Sequence, residues 1–158
     1  MVTATDLAPL LRGRVGIDGP DAAGKTTLAN ELAALTGLPR LQADDFLNPP
    51  EVRYARGRLD PGGYYADAFD LPRLRAAIEA YDTVIADGVF LFRPELDDLW
   101  DVRVYVDVDP AEQERRVLAR DTPRFGTAVR ERYALRYKPA YDAYRAAHRP
   151  HERADVVV

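Results

Sequence analysis

Short apolar runs alternate along the chain with stretches whose apolar residues recur every three or four positions, the two signatures of buried strands and amphipathic helices. Arg14-Val15-Gly16-Ile17 is the first run, and Asp18-Gly19 ends it with a turn signal. From Lys25 to Leu35, the residues Leu28, Leu32 and Leu35 share one helical face, and Gly37 and Pro39 stop the helix. Leu41 to Ala43 predicts a brief second strand. Asn48 to Tyr64, with Pro49, Pro50, Gly57, Pro61, Gly62 and Gly63, is expected as loop. A helix is expected after Asp70, which can cap it with Pro72 in the first turn, and runs to about Ala80. Thr83-Val84-Ile85-Ala86 is the third strand, ending at Asp87-Gly88, and Val102 to Val106 the fourth. Asp109-Pro110 opens another helix, a long amphipathic helix covers Thr127 to Ala147, and Val156-Val157-Val158 is a last strand. Strands alternating with helices predict a mostly parallel sheet between helical layers, a three-layer α/β fold.

Composition narrows the classes. The 158 residues contain no repeat or long linker and are expected to form one domain, residues 1–158. The net charge of −4 argues against a general nucleic-acid or membrane-surface binder, since both carry basic excess. The absence of cysteine excludes disulfides, thiolate metal sites and a thiol nucleophile. No leader pattern precedes the first strand, and no apolar run approaches the roughly 20 residues of a membrane span, so a cytoplasmic location is expected. Lysine occurs only at Lys25 and Lys138.

One of those two lysines lies in a motif. Gly19-Pro20-Asp21-Ala22-Ala23-Gly24-Lys25-Thr26 matches G-x-x-x-x-G-K-[ST], directly after an apolar strand and opening a helix. In that context the glycines let backbone N–H groups wrap a polyphosphate, and the helix N-terminus adds its positive end. Lys25 is expected to reach the β- and γ-phosphates and Thr26 to ligate Mg²⁺, with Gly19, Asp21, Ala22, Ala23, Gly24 and Thr27 completing the cradle. An Asn-Lys-x-Asp guanine-reading segment is missing, since the only asparagines are Asn30 and Asn48. GTPases are thereby set aside and a small kinase is the expected class, with ATP as the expected nucleotide and GTP left open.

Carboxylates at strand ends are the next candidates, because ligands bind there in open α/β sheets. Asp87 is placed to hold Mg²⁺ or its waters beside Thr26. Asp44 or Asp45 could orient an acceptor hydroxyl and take its proton. Farther on, Arg116 and Arg120 share one helical face and Arg124 lies just beyond, all suited to charge spreading over a transferred phosphoryl group. Arg53, Tyr54, Arg56, Arg58, Tyr64 and Tyr65 offer cations and aromatic faces to a small-molecule acceptor. His148 and His151 have no partner motif and are expected at the surface.

Taken together, the chain resembles the uridine kinase and phosphoribulokinase group of P-loop kinases. The matching stretches run from Ile17-Asp18-Gly19 and Gly24-Lys25-Thr26-Thr27 through Asp44-Asp45-Phe46, Tyr65-Ala66-Asp67-Ala68-Phe69-Asp70 and Asp87-Gly88-Val89. They continue with Arg116 through Arg120-Asp121, Tyr137-Lys138-Pro139-Ala140 and Ala154-Asp155-Val156-Val157, almost the full length. The resemblance implies a five-stranded parallel sheet with an arginine-bearing lid, Asp44 as the base, Asp87 as the acidic residue before glycine, and Arg116, Arg120 and Arg124 as lid arginines. It implies phosphoryl transfer from Mg²⁺–ATP to a hydroxyl of a nucleoside or similar acceptor. Relatives that phosphorylate nucleosides carry a hairpin insertion between the Ala-Phe-Asp helix and the Asp-Gly strand; this chain has no room for one, and Tyr64 stands where they have an acidic sugar-binding residue. A non-nucleoside acceptor and a non-catalytic ATP-binding module are the alternatives, and the oligomeric state is left open.

Overall fold

The computed structural model describes residues 1–158. After a capped turn of helix, α1 (Ala4–Leu7), the chain enters β1 (Arg14–Asp18), crosses through α2 (Lys25–Thr36) and returns as β2 (Arg40–Gln42). A 3₁₀ turn over Ala43–Phe46 and two short helices, α3 (Pro50–Arg53) and α4 (Pro61–Asp67), lead to α5 (Leu71–Glu79) and β3 (Val84–Asp87). Then come β4 (Val102–Tyr105), α6 (Pro110–Phe125), α7 (Ala128–Arg132), a π-helical turn over Tyr133–Tyr137, α8 (Lys138–His148), α9 (Pro150–Arg153) and β5 (Val156–Val157).

The five strands pair in the order β2-β3-β1-β4-β5, and every pairing is parallel. This is the expected three-layer α/β architecture. Alternation along each strand sends side chains to two separate cores. Val15, Ile17, Ile85, Val102 and Val104 face the layer of Leu7, Leu28 and Leu32. Val84, Ala86 and Tyr105 face Phe90, Phe92, Trp100, Tyr141 and Tyr144. No helix is long and apolar enough to cross a membrane.

Three expectations change. The stretch 48–64 is not all loop, because its prolines start helices: Pro50 and Pro61 sit in first turns, and the Asp60 carboxylate accepts from Gly63 N at 2.8 Å as an N-cap. The helix expected over 127–147 is one path in three pieces, α7, the π turn and α8. The two histidines are half-buried rather than free at the surface: His148 stacks 6.5 Å from the Tyr65 ring, and His151 lies 6.0 Å from the Tyr105 ring.

Gly88 fixes the distance between two strand ends that matter below. A Cβ there would lie 2.4 Å from Ala43 Cβ, so only glycine lets the turn after β3 touch the turn that carries Asp44. Gly88→Ala is expected to lower the unfolding free energy by about 1–3 kcal/mol, the usual cost of overpacking, read from urea denaturation.

Candidate functional site

At the carboxyl end of the sheet, the chain leaves β1 into the loop Gly19–Gly24 and enters α2. Gly24 takes φ 104°, a conformation that glycine alone adopts without strain. Beneath the loop, the Asp18 carboxylate is fully buried. It accepts from Gly19 N at 2.6 Å, Tyr141 Oη at 3.0 Å, Tyr144 Oη at 2.5 Å and Phe92 N at 3.3 Å. Burial raises its pKa, opposed by the donors Tyr144 and Gly19 and by the Lys25 charge.

Above the loop lies a cavity of about 420 Å³. Asp21, Ala22, Ala23, Gly24, Lys25, Thr26 and Thr27 line one wall, Asp44 and Asp87 another, and Arg116 and Arg120 the rim. The buried Lys25 ammonium donates to Pro20 O at 2.7 Å. Burial lowers its pKa, against the pull of the Asp21, Asp18, Asp44 and Asp87 carboxylates. Thr26 Oγ1 lies 3.2 Å from Asp87 Oδ2, so the two expected metal oxygens are neighbours. Asp87 Oδ1 is engaged by Arg40, with Nη2 at 3.0 Å.

A hydroxyl and one carboxylate oxygen are hard donors that suit Mg²⁺. No group of three or more acidic or histidine side chains forms a protein cage. Mg²⁺ keeps several waters and takes phosphate oxygens, so two protein donors suffice for it.

The Ala43–Phe46 turn is pinned from below, with Asn48 N donating to Ala68 O and Asp70 N to Phe46 O, both at 2.8 Å. It carries Asp44 into the cavity and leaves Asp45 exposed outside it. Asp44 keeps solvent access, but the cleft walls displace enough water to raise its pKa, with Lys25 pulling it down and Asp21 and Asp87 adding to the rise.

Helix α6 brings the arginines over the loop. Arg116 Nη1 donates to Ala22 O at 3.3 Å, and its Nε donates to Glu112 at 2.9 Å. Arg115 and Arg116 together hold Glu112 down to about 2. Arg120 forms a two-point contact with Asp21, at 3.2 and 3.1 Å, and also pairs with Asp121.

Next to this cavity, sharing Asp21, Asp44, Tyr64 and Arg120 with it, is a second one of about 190 Å³. Arg53, Tyr54, Arg136 and Tyr137 close its far side.

Several expected residues lie elsewhere. Gly19 is buried under the loop and lines neither cavity. Arg124 is exposed, its guanidinium 5.1 Å from the Phe125 ring. Tyr65 points away, with the buried Arg93 guanidinium 4.0 Å from its ring and His148 stacked beside it. Conversely, Arg40, Arg136 and the tyrosines caging Asp18 are absent from the sequence reading. Helical spacing could have found Arg136, which sits three residues after the buried Tyr133 and four before the buried Ala140.

No protein-family model matches the chain. A uridine kinase of Leuconostoc citreum is 29% identical over 87% of this chain and 82% of its own length. A uridine kinase of Lactobacillus helveticus is 25% identical over 82% and 79%. In sequence the chain is similar to the uridine kinase-like P-loop kinases. A cytidylate kinase of Thermus thermophilus is 38% identical, over 55% of this kinase and 45% of its own length. Among solved structures, a Bacillus stearothermophilus protein named a possible uridine kinase superposes with a TM-score of 0.75 at 24% identity, covering 98% of this kinase and 96% of that chain. Shikimate kinase of Acinetobacter baumannii shares the fold at a TM-score of 0.58 and 14% identity, covering 98% and 86%. The kinase is a phosphotransferase.

Because Tyr144 donates at 2.5 Å to a buried carboxylate under the phosphate loop, Tyr144→Phe is expected to destabilise the kinase by about 1.5–3 kcal/mol, the range for hydrogen bonds to charged groups. Chemical denaturation measures it.

Proposed function

We propose that the chain transfers the γ-phosphoryl group of Mg²⁺–ATP to a hydroxyl of a nucleoside or a similarly small acceptor. What supports the reading is that the phosphate loop, Asp44, Asp87, Arg116 and Arg120 line one cavity, with a second cavity opening from it beside Asp44. In this reading, backbone N–H groups of residues 21–26 and the N-terminus of α2 hold the triphosphate. Lys25 exchanges Pro20 O for phosphate oxygens. Thr26 and Asp87 would hold Mg²⁺, which would supply neutralisation of phosphate charge.

Asp44 accepts the proton of the acceptor hydroxyl as its oxygen attacks phosphorus, and ADP leaves in line. Arg116 and Arg120 trade their contacts with the loop for charge that spreads over the phosphoryl oxygens. Lys25 and Asp87 are buried, so their charges act at a lower effective dielectric than in solution, while Asp44 and the arginines stay open to solvent.

Lys25→Ala is expected to lower kcat by roughly 10²–10³, the cost of removing one preorganised donor. Asp44→Asn is expected to lower kcat by roughly 10²–10⁴ while ATP binding stays within a factor of a few. A coupled ADP-release assay with nucleosides and other hydroxyl acceptors measures both, and full turnover by Asp44→Asn would sink the base assignment.

The raised pKa of Asp44 adds a pH signature. The base works only when ionised, so activity is held above its folded pKa and is lost as pH falls through it. The acid limb of kcat/KM should therefore lie above the ordinary aspartate value of 3.8. Its disappearance in the residual activity of Asp44→Asn would tie the limb to this carboxyl.

A further inference from the structure

The second cavity holds a charge problem that phosphoryl transfer from ATP does not use. Arg136 is 1% exposed, on the π turn between α7 and α8. Its Nη atoms donate to the carbonyls of Gly57, Asp60 and Arg53, at 3.0–3.3 Å, and no carboxylate pairs with it. Its Nε is buried with no partner, and so is the Nε of Arg53.

Both guanidiniums pack on Tyr54, at 4.9 Å for Arg136 and 5.3 Å for Arg53. Arg58 lies 4.9 Å from the same ring, also without an acidic partner. Three cations around one ring repel one another. A buried guanidinium held by neutral carbonyls alone keeps an uncompensated charge. Within hydrogen-bond reach of this cluster, the chain supplies no counter-ion. The carboxylates of the cavity, Asp21, Asp44 and Asp121, sit with Arg120 at the end facing the phosphate loop.

We infer that Arg53 and Arg136 form an anion subsite, and that the acceptor carries an oxyanion group, phosphate or carboxylate, at the end opposite the hydroxyl it offers to Asp44. The lining of the cavity suits such a molecule: Asp44 for the hydroxyl, the Arg53 and Arg136 side chains for the anion, and the Tyr54 and Tyr64 rings for the body of the acceptor. A neutral nucleoside would leave the charge of the Arg53 and Arg136 guanidiniums uncompensated. The inference narrows the acceptor class of the proposed kinase reaction and rests on that reading for its catalytic meaning; the anion subsite itself does not.

Two measurements separate them. In the first, the phosphate loop is filled with Mg²⁺ and a non-hydrolysable ATP analogue. Proton–nitrogen correlation spectra of arginine Nε–Hε groups are then recorded during titration with inorganic phosphate or with acetate. The Arg53 and Arg136 signals are expected to shift saturably, while Arg75, already paired with Asp98 at 2.7 Å, stays fixed. The stronger of the two anions identifies a phosphate- or a carboxylate-bearing acceptor. No shift of either signal with either anion overturns the inference.

In the second, ADP release is measured with matched acceptors, glycerol against glycerol 3-phosphate and against glycerate, and ribose against ribose 5-phosphate. The charged member of a pair is expected to have the higher kcat/KM. Arg53→Gln, which removes no backbone contact of the side chain, should reduce that preference by about 30-fold or more, with the KM for ATP unchanged. Arg136→Lys should do the same if the 53–60 segment stays folded. Equal use of charged and neutral acceptors, or an unchanged ratio in Arg53→Gln, also overturns it. Nε shifts without turnover of any acceptor would instead count against the kinase reading and leave the anion subsite standing.

Discussion

A single buried carboxylate holds the functional end of the molecule together. Asp18 ends the central strand, and its two oxygens gather donors from the phosphate loop, from the segment after β3 and from two tyrosines of α8. The loop follows Asp18 directly, whereas the segment after β3 and α8 are remote from it in sequence and also pack on each other, Phe90 against Tyr141 and Tyr144. A carboxylate taken out of water is costly unless donors replace its hydration. Here four donors do so, and satisfying them fixes α8 against the sheet while setting the height of the loop above it. The position of the loop is thus an electrostatic consequence of one side chain that never reaches the cavity.

The walls above follow the same logic of compensated charge. Lys25 is buried among the carboxylates Asp21, Asp18, Asp44 and Asp87, and the arginines of α6 rest on loop carbonyls and on Asp21. The protein's own acidic groups and carbonyls engage the cations that the proposed polyphosphate would take over. Such contacts keep the arginines near their working positions and avoid a large unpaired positive field. Arg40 plays the complementary part on the other wall, engaging one oxygen of Asp87 and leaving the second beside Thr26.

What could be read from the sequence was the chemistry that must be contiguous. Backbone cradling of phosphates needs glycines at fixed spacing, so residues 19–26 were legible outright, and the apolar runs gave the strands to within one or two residues. Asp44 and Asp87 were legible as carboxylates at strand ends, and the structure brings both into the cavity that the loop opens on. Less visible was everything decided by packing between distant segments. Tyr64 and Tyr65 looked equivalent, yet neighbours on a helix diverge by about 100°. One enters the cavities, and the other packs under Arg93. Arg40 depends on the β2–β3 register, and Arg136 depends on the packing of the 53–60 segment against the π turn. The prolines of 48–64 were read as breakers where they are initiators.

The π turn at Tyr133–Tyr137 sets the phase of a long helical path. Its wide loop of backbone accommodates one residue more than an α-helical turn, so the faces before and after it are offset by roughly one residue's rotation. Upstream of the surplus residue, Val129 and Tyr133 pack inward; downstream, Tyr141 and Tyr144 reach Asp18. Arg136 lies within the offset itself. The path therefore works like a vernier: a single-residue deletion would leave a smoother helix, yet it would turn the downstream face away from Asp18. Length variation is consequently cheap in the exposed stretch around Gly126 and costly ten residues later, although both look like ordinary helix boundaries in the primary structure.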